Sequence, residues 1–288
     1  MRHSFSLSIG PASFRIGSAW AQPIDALRRL YAAYPRPVDS IANFTVRLEL
    51  ARRTRRFIRP QVAISGDYRL ADAAPLPLAQ GLLAAEMGMN LQMALGWRRH
   101  LLLHASAVEK EGRVLIMSGA SGSGKSTLAA MLGERGWRLL GDEFTLIDPI
   151  SGDAFAFPRL ISLKNQAIGV MENKVRDPAR FGPLMRATPK GDIRHLLPRE
   201  DAIARMAEGG RPALLLFPLF GGAPDVRPMG AAECFMRLTQ ASTNYVALGE
   251  AGFDALTSLC DTVPTFAIDF SSGTEAIEIV EQIWREVA

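Results

Sequence analysis

The sequence is poor in the residues that build disulfide scaffolds, metal clusters and membrane spans. Its 288 residues include two cysteines, Cys234 and Cys260, and four histidines. Both cysteines stand in apolar surroundings outside any C-x-x-C pair, so they read as reduced core residues rather than a disulfide or a structural zinc site. No apolar run reaches the about 18 residues that a membrane-crossing helix needs. Residues 1–8 lack the continuous apolar core of a secretory signal. These absences predict a cytoplasmic protein with no membrane partner. Lysine is scarce as well, 5 against 28 arginines, so the net charge of +4 rests on arginine. One cluster, Arg52-Arg53-Thr54-Arg55-Arg56 with Arg59, carries the charge of a nucleic-acid surface without any accompanying recognition pattern. A solvated strand edge is the expectation there, and no nucleic-acid partner is expected. Internal repeats and low-complexity tracts are also missing.

What is present is an alternation of strand-like and helix-like segments. Residues 5–9 and 13–17 alternate apolar and polar around Gly10-Pro11, which predicts a hairpin. A helical spacing over 25–31 stops before Pro35 and Pro37, and 44–50 and 57–64 read as further strands. The proline-marked junction Ala74-Pro75-Leu76-Pro77 then precedes a helix over 78–97. This divides the chain into a small N-terminal α/β domain, 1–77, and a larger domain, 78–288. In the second part, 101–108 reads as one apolar strand interrupted only by polar residues such as His104. It lies beside a strand over 114–117, and further strands are expected over 136–140, 213–217 and 265–270. Residues 144–147 and 154–157 suggest a hairpin, and 231–240, 252–259 and 274–287 suggest helices, the last capped by Ser272 or Thr274. The stretch 173–210, broken by Pro178, Pro183, Pro189 and Pro198 and rich in charge, reads as irregular, either a functional lid or mobile.

The most informative stretch is Gly119-Ala120-Ser121-Gly122-Ser123-Gly124-Lys125-Ser126, which satisfies the phosphate-loop pattern G-x-x-x-x-G-K-[ST] and continues into Thr127. It follows a strand and opens a helix, the context that the chemistry requires. Glycines allow backbone conformations that a Cβ forbids, so successive N–H groups can cradle phosphate oxygens at the positive end of the helix. Lys125 adds a point charge at the outer phosphates, and the Ser126 hydroxyl can ligate the Mg²⁺ that travels with the nucleotide. Asp142, 17 residues beyond Lys125, ends the next strand, where a carboxylate can help to hold that metal. Glu143 beside it is placed to act as a general base toward an acceptor hydroxyl. His104, 21 residues before Lys125, lies on the strand expected next to the loop strand.

With these intervals, His104, Gly119 to Ser126 and Asp142-Glu143 resemble the catalytic domain of HPr kinase/phosphorylase, which is related in fold to phosphoenolpyruvate carboxykinase. The resemblance covers about 101–160 and extends, in HPr-kinase-like proteins, to a P-R-x-x-S-L-K-N segment, here Pro158-Arg159-Leu160-Ile161-Ser162-Leu163-Lys164-Asn165. It implies an α/β phosphate-loop kinase domain that uses ATP or another nucleoside triphosphate with Mg²⁺. Lys125 and Ser126 would bind phosphate and metal, Asp142 would partner the metal, Glu143 would take the base position and His104 would support the site. The resemblance also implies self-association.

Two departures point away from HPr as acceptor. Thr127 stands where the HPr enzymes carry glutamate, and their glycine-rich signature is replaced around Ser162-Leu163-Lys164-Asn165. Arg159 and Lys164 become candidates for holding a phosphoryl group or an acidic acceptor. Lys174, Arg176, Arg180, Lys190, Arg194 and His195 are weaker candidates for acceptor contacts. The reaction expected is transfer of the γ-phosphoryl group to a hydroxyl of a peptide or protein serine, or of a small metabolite. A carboxykinase-like activity on a small acid, and a nucleotide-binding switch with little or no transfer, are the competing readings.

Overall fold

Apolar–polar alternation folds His3–Ile9 (β1) and Ala12–Ser18 (β2) into the expected antiparallel hairpin in the computed structural model, which describes residues 2–37, 41–52, 58–70 and 73–287. Ala21–Leu30 (α1) follows, and its spacing buries Ile24, Leu27 and Leu30. Phe44–Leu50 (β3) pairs parallel with β2, a step that requires the crossover through α1. Gln61–Gly66 (β4) and Leu76–Pro77 (β5) complete a five-stranded sheet in chain order. The strand expected over 57–64 is thus displaced toward the C-terminus. Phe57 lies outside the described residues, as do Arg53, Thr54, Arg55 and Arg56 of the arginine cluster.

The helix expected over 78–97 begins with a 3₁₀ turn and continues as Gly81–Gly96 (α2). It is apolar around most of its circumference, as suits a helix covered on several sides. α2 packs on β3 and β4. Gly88 permits the approach, since a Cβ there would stand 2.5 Å from Val46. The resulting core also takes in Phe144, Phe157, Leu160, Met185 and Ile193 from later in the chain. At the tip of the β1–β2 hairpin, Gly10 has φ of 49°, and a Cβ on it would fall 1.9 Å from the Ala156 carbonyl oxygen.

The rest of the chain supplies Leu101–Leu103 (β6), Ala105–Lys110 (β7), Arg113–Ser118 (β8), Lys125–Gly133 (α3), Arg138–Gly141 (β9), Thr145–Ile147 (β10) and Ala154–Phe155 (β11). Beyond these come Ile161–Lys164 (β12), Gln166–Glu172 (α4), Met185–Thr188 (β13), Gly191–Leu196 (β14) and Glu200–Ala204 (α5). Arg211–Phe220 (β15), Asp225–Pro228 (β16), Ala231–Ala241 (α6), Glu250–Thr262 (α7), Thr265–Phe270 (β17) and Gly273–Val287 (α8) complete the order.

The central sheet has the order β16-β17-β15-β8-β7-β9, with β8, β15 and β17 mutually parallel. Such strands are buried on both faces. Side chains of α3 and α8 fill one side, and those of α6 and α7, including the free and buried Cys234 and Cys260, fill the other. α8 is capped at Ser272, whose hydroxyl accepts the Glu275 N–H at 3.2 Å, while Glu275 reaches back to the Ser271 N–H at 2.7 Å.

Two expectations need correction. The strand over 101–108 breaks at His104: β6 joins β10 in a separate three-stranded sheet, and β7 continues beside β8. Polar 173–210 is not an irregular lid, because β14 pairs with both β12 and β13 and turns Ile193, His195 and Leu196 inward. Its prolines fall in the connections, outside the strands, where they cost no ladder hydrogen bond. No helix among the described residues is long and apolar enough to cross a membrane.

Candidate functional site

The phosphate-loop sequence lies at the carboxyl end of β8, flanked by the carboxyl ends of β15 and β17, the edge of a parallel sheet where ligands bind. Gly119, Gly122 and Gly124 take φ values of 150°, 89° and 97°, so the pattern's glycines are spent on backbone shape. α3 starts at Lys125, which directs the helix N-terminus back into the loop. The Lys125 ammonium is largely buried and donates to the carbonyls of Gly119 at 2.6 Å and Ala120 at 2.9 Å. Burial pulls its pKa down, and the carboxylates of Asp142 and Glu143 oppose that shift. Gly124 is tight as well, since a Cβ would lie 2.9 Å from the Phe270 ring. Gly124→Ala therefore combines left-handed strain with a clash, and it is expected to weaken nucleotide binding by about tenfold or more, read by titration with a fluorescent ATP analogue.

Asp142 follows β9 and is almost fully buried. The Ser106 hydroxyl donates to its Oδ1 at 2.5 Å, and the Ser162 N–H donates to its Oδ2 at 3.2 Å. Burial and then the Glu143 charge push its carboxyl up, against the hydrogen bonds from Ser106 and Ser162. Glu143 itself has φ of 72°, a conformation that costs a side-chain-bearing residue about 1–3 kcal/mol and that concentrates at functional sites. Gly141 makes the turn feasible, because a Cβ there would stand 2.4 Å from the Phe144 carbonyl oxygen. Glu143 Oε2 lies 3.7 Å from His104 Nδ1, and its Oε1 lies 4.0 Å from Lys164 Nζ. Burial raises the Glu143 carboxyl, but His104, Lys164, Arg159 and Lys190 together more than reverse this and hold it below the usual carboxylate range.

These groups share one cavity of about 660 Å³. Of the residues singled out from sequence, His104, Ser121, Gly122, Gly124, Lys125, Ser126, Thr127, Asp142, Glu143 and Lys164 line it, and Lys190 joins them at the mouth. Gly119 and Ser123 shape the loop without lining the cavity. Arg159 is not brought to it: the guanidinium is buried and bound by Glu86 and Asn90 of α2. Arg180 pairs with Glu134 at 2.8 Å, Arg194 pairs with Glu172, and His195 is buried, its pKa lowered first by burial.

Sequence reasoning missed Ser106, although its position two residues past His104 puts both on the same side of an extended chain. It also missed Phe220 and Phe270, which line the cavity with their ring centroids 5.9 Å apart. Their signal was the end of a parallel strand. With Met131, Val170 and Ala276 they give the cavity an apolar lining suited to a flat base, beside the charged groups Glu143, Lys164 and Lys190.

The donor set suits a hard cation. The Ser126 hydroxyl and the Asp142 carboxylate offer oxygens in the lining of one cavity, and no group of three or more His, Cys, Asp or Glu side chains able to hold a metal occurs among the described residues. Mg²⁺ needs only one or two protein oxygens when phosphates supply others.

No protein-family model matches the sequence, and no curated protein matches it. Among solved structures, the chain is similar to the HPr(Ser) kinase/phosphatase from Coxiella burnetii, at 14% identity and a TM-score of 0.27, over 64% of this chain and 88% of that one.

Proposed function

We propose that the protein transfers the γ-phosphoryl group of a nucleoside triphosphate, ATP by preference, to a hydroxyl of a peptide or protein serine or of a small metabolite. The observation that carries this reading is a single cavity lined by the phosphate loop, a buried carboxylate and a second carboxylate on a strained backbone. In it, the loop N–H groups and Lys125 hold the phosphates, and the apolar lining that includes Phe220 and Phe270 holds the base. Ser126 and Asp142 would hold Mg²⁺, which neutralises charge on the phosphate oxygens when bound. Glu143 accepts the proton of the acceptor hydroxyl while the hydroxyl oxygen bonds to the γ-phosphorus. The bond from that phosphorus to the bridging oxygen breaks, and the nucleoside diphosphate leaves with the electron pair. Lys164 is placed to balance charge beside Glu143, and His104 orients the same carboxylate.

The test is acceptor-dependent release of ADP and transfer of label from γ-labelled ATP. Tight ATP binding with no turnover against any acceptor favours the switch reading instead. Lys125→Met removes a charged hydrogen-bond donor and is expected to weaken ATP binding by about 10–100-fold, measured by calorimetry; unaltered affinity contradicts the loop's role.

A further inference from the structure

We propose that the turn after α1, with α2, positions Asp142, so that the N-terminal part of the chain sets how strongly Mg²⁺ strengthens nucleotide binding; this rests on the phosphoryl-transfer reading, in which Asp142 partners the cation. The contacts form an unbroken series. Tyr34, just past α1, donates its buried hydroxyl to the Pro158 carbonyl at 2.6 Å. Glu86 and Asn90 of α2 bind the Arg159 guanidinium, which also donates to the Glu86 carbonyl at 2.9 Å. Tyr31 donates to the other Glu86 oxygen at 2.9 Å and fixes that carboxylate from behind.

Pro158 and Arg159, the two residues so held, belong to the segment that runs beside the end of β9. The Phe157 N–H donates to the Leu140 carbonyl at 2.6 Å, and Gly141 and Phe157 form a parallel bridge. Three residues beyond Arg159, Ser162 donates its N–H to Asp142. A displacement of α2 therefore moves the start of β12 and, with it, a hydrogen bond on the carboxylate. A core filler would need only volume. Here three polar side chains, those of Tyr34, Glu86 and Asn90, converge on two consecutive residues, and Tyr31 backs one of them, which is how outer partners orient a metal-binding group.

A fluorescent ATP analogue titrated with and without Mg²⁺ tests this on the full chain. Tyr34→Phe keeps the ring and removes one hydroxyl; Glu86→Gln keeps the shape and removes the charge. The gain in affinity conferred by Mg²⁺ is expected to shrink by about threefold in the first and about tenfold in the second, with Mg²⁺-free affinity unchanged. Leu7→Ala, which opens a cavity in the same core away from these contacts, keeps the full gain. If Glu86→Gln does not fold, Tyr34→Phe decides. A Tyr34→Phe protein with the wild-type gain overturns the inference alone, and so does a Leu7→Ala protein that loses it. A wild-type protein indifferent to Mg²⁺ overturns the reading of the site together with the inference.

Discussion

On the proposed reading, Glu143→Gln is expected to lower phosphoryl transfer by about 10²–10⁴-fold, the contribution of a positioned proton acceptor, while ATP affinity stays within about threefold. The substitution keeps the shape of the side chain and the backbone strain of φ 72°, so the loss measures chemistry rather than refolding of the turn. His104 and Lys164 would then face an amide at 3.7 and 4.0 Å rather than a carboxylate. In the native site, surrounding positive charge holds Glu143 ionised despite its burial. On the proposed reading it would meet the acceptor hydroxyl already deprotonated, which suits a transfer in which positioning and charge neutralisation do most of the catalysis. The two readouts are label transfer from γ-labelled ATP and equilibrium binding of a fluorescent analogue. Turnover equal to wild type would falsify the base assignment.

Arg159→Met costs about 3–5 kcal/mol of stability, because it strands the Glu86 carboxylate in the interior without its cation. Both side chains of the pair are nearly inaccessible, at 3% and 5% exposure. Burial alone disfavours the guanidinium's charge, but Glu86 more than restores it, so that its pKa is raised. Tyr31 and Tyr34 sit in the same pocket with hydroxyl pKa values pushed up, first by burial and then by Glu86. Urea denaturation measures the loss. The double variant Arg159→Met/Glu86→Leu is expected to recover most of it, since an apolar pair of similar volume can replace a buried ion pair. A single variant within about 1 kcal/mol of wild type would show that the pair is dispensable.

The contrast between these two residues explains what could be read from the chain in advance. The loop, Asp142 and Glu143 are local: a strand, a turn and a helix start follow one another within about thirty residues, and the roles proposed for them follow from that order. Arg159 looked like a ligand for phosphate because its partners, Glu86 and Asn90, stand 73 and 69 positions earlier, and no periodicity connects them. His104 lines the same cavity as the loop, but not as part of an unbroken strand. The backbone instead turns there, with its N–H donating to the Ala241 carbonyl at 2.8 Å, a partner far down the chain. β13 and β14 were hidden for a different reason. They are short, and the prolines in their connections dominate the composition of the stretch. α2 gave no hint of which sheet it would cover, since a helix apolar on nearly every side has no preferred face.

The glycine at the tip of the first hairpin sets a limit on how this chain can be reassembled by recombination. With the Ala156 carbonyl 1.9 Å from where a Cβ would sit, the hairpin and the chain around 156 fit each other as a matched pair. α2, encoded beyond the proline-marked junction, covers the sheet encoded before it. A genetic exchange at that junction would separate a sheet from its covering helix and press an unmatched hairpin onto a surface shaped for Gly10. Descendants are therefore expected to inherit the first hundred residues together with the half that carries the phosphate-loop sequence, and not to trade them as an independent module.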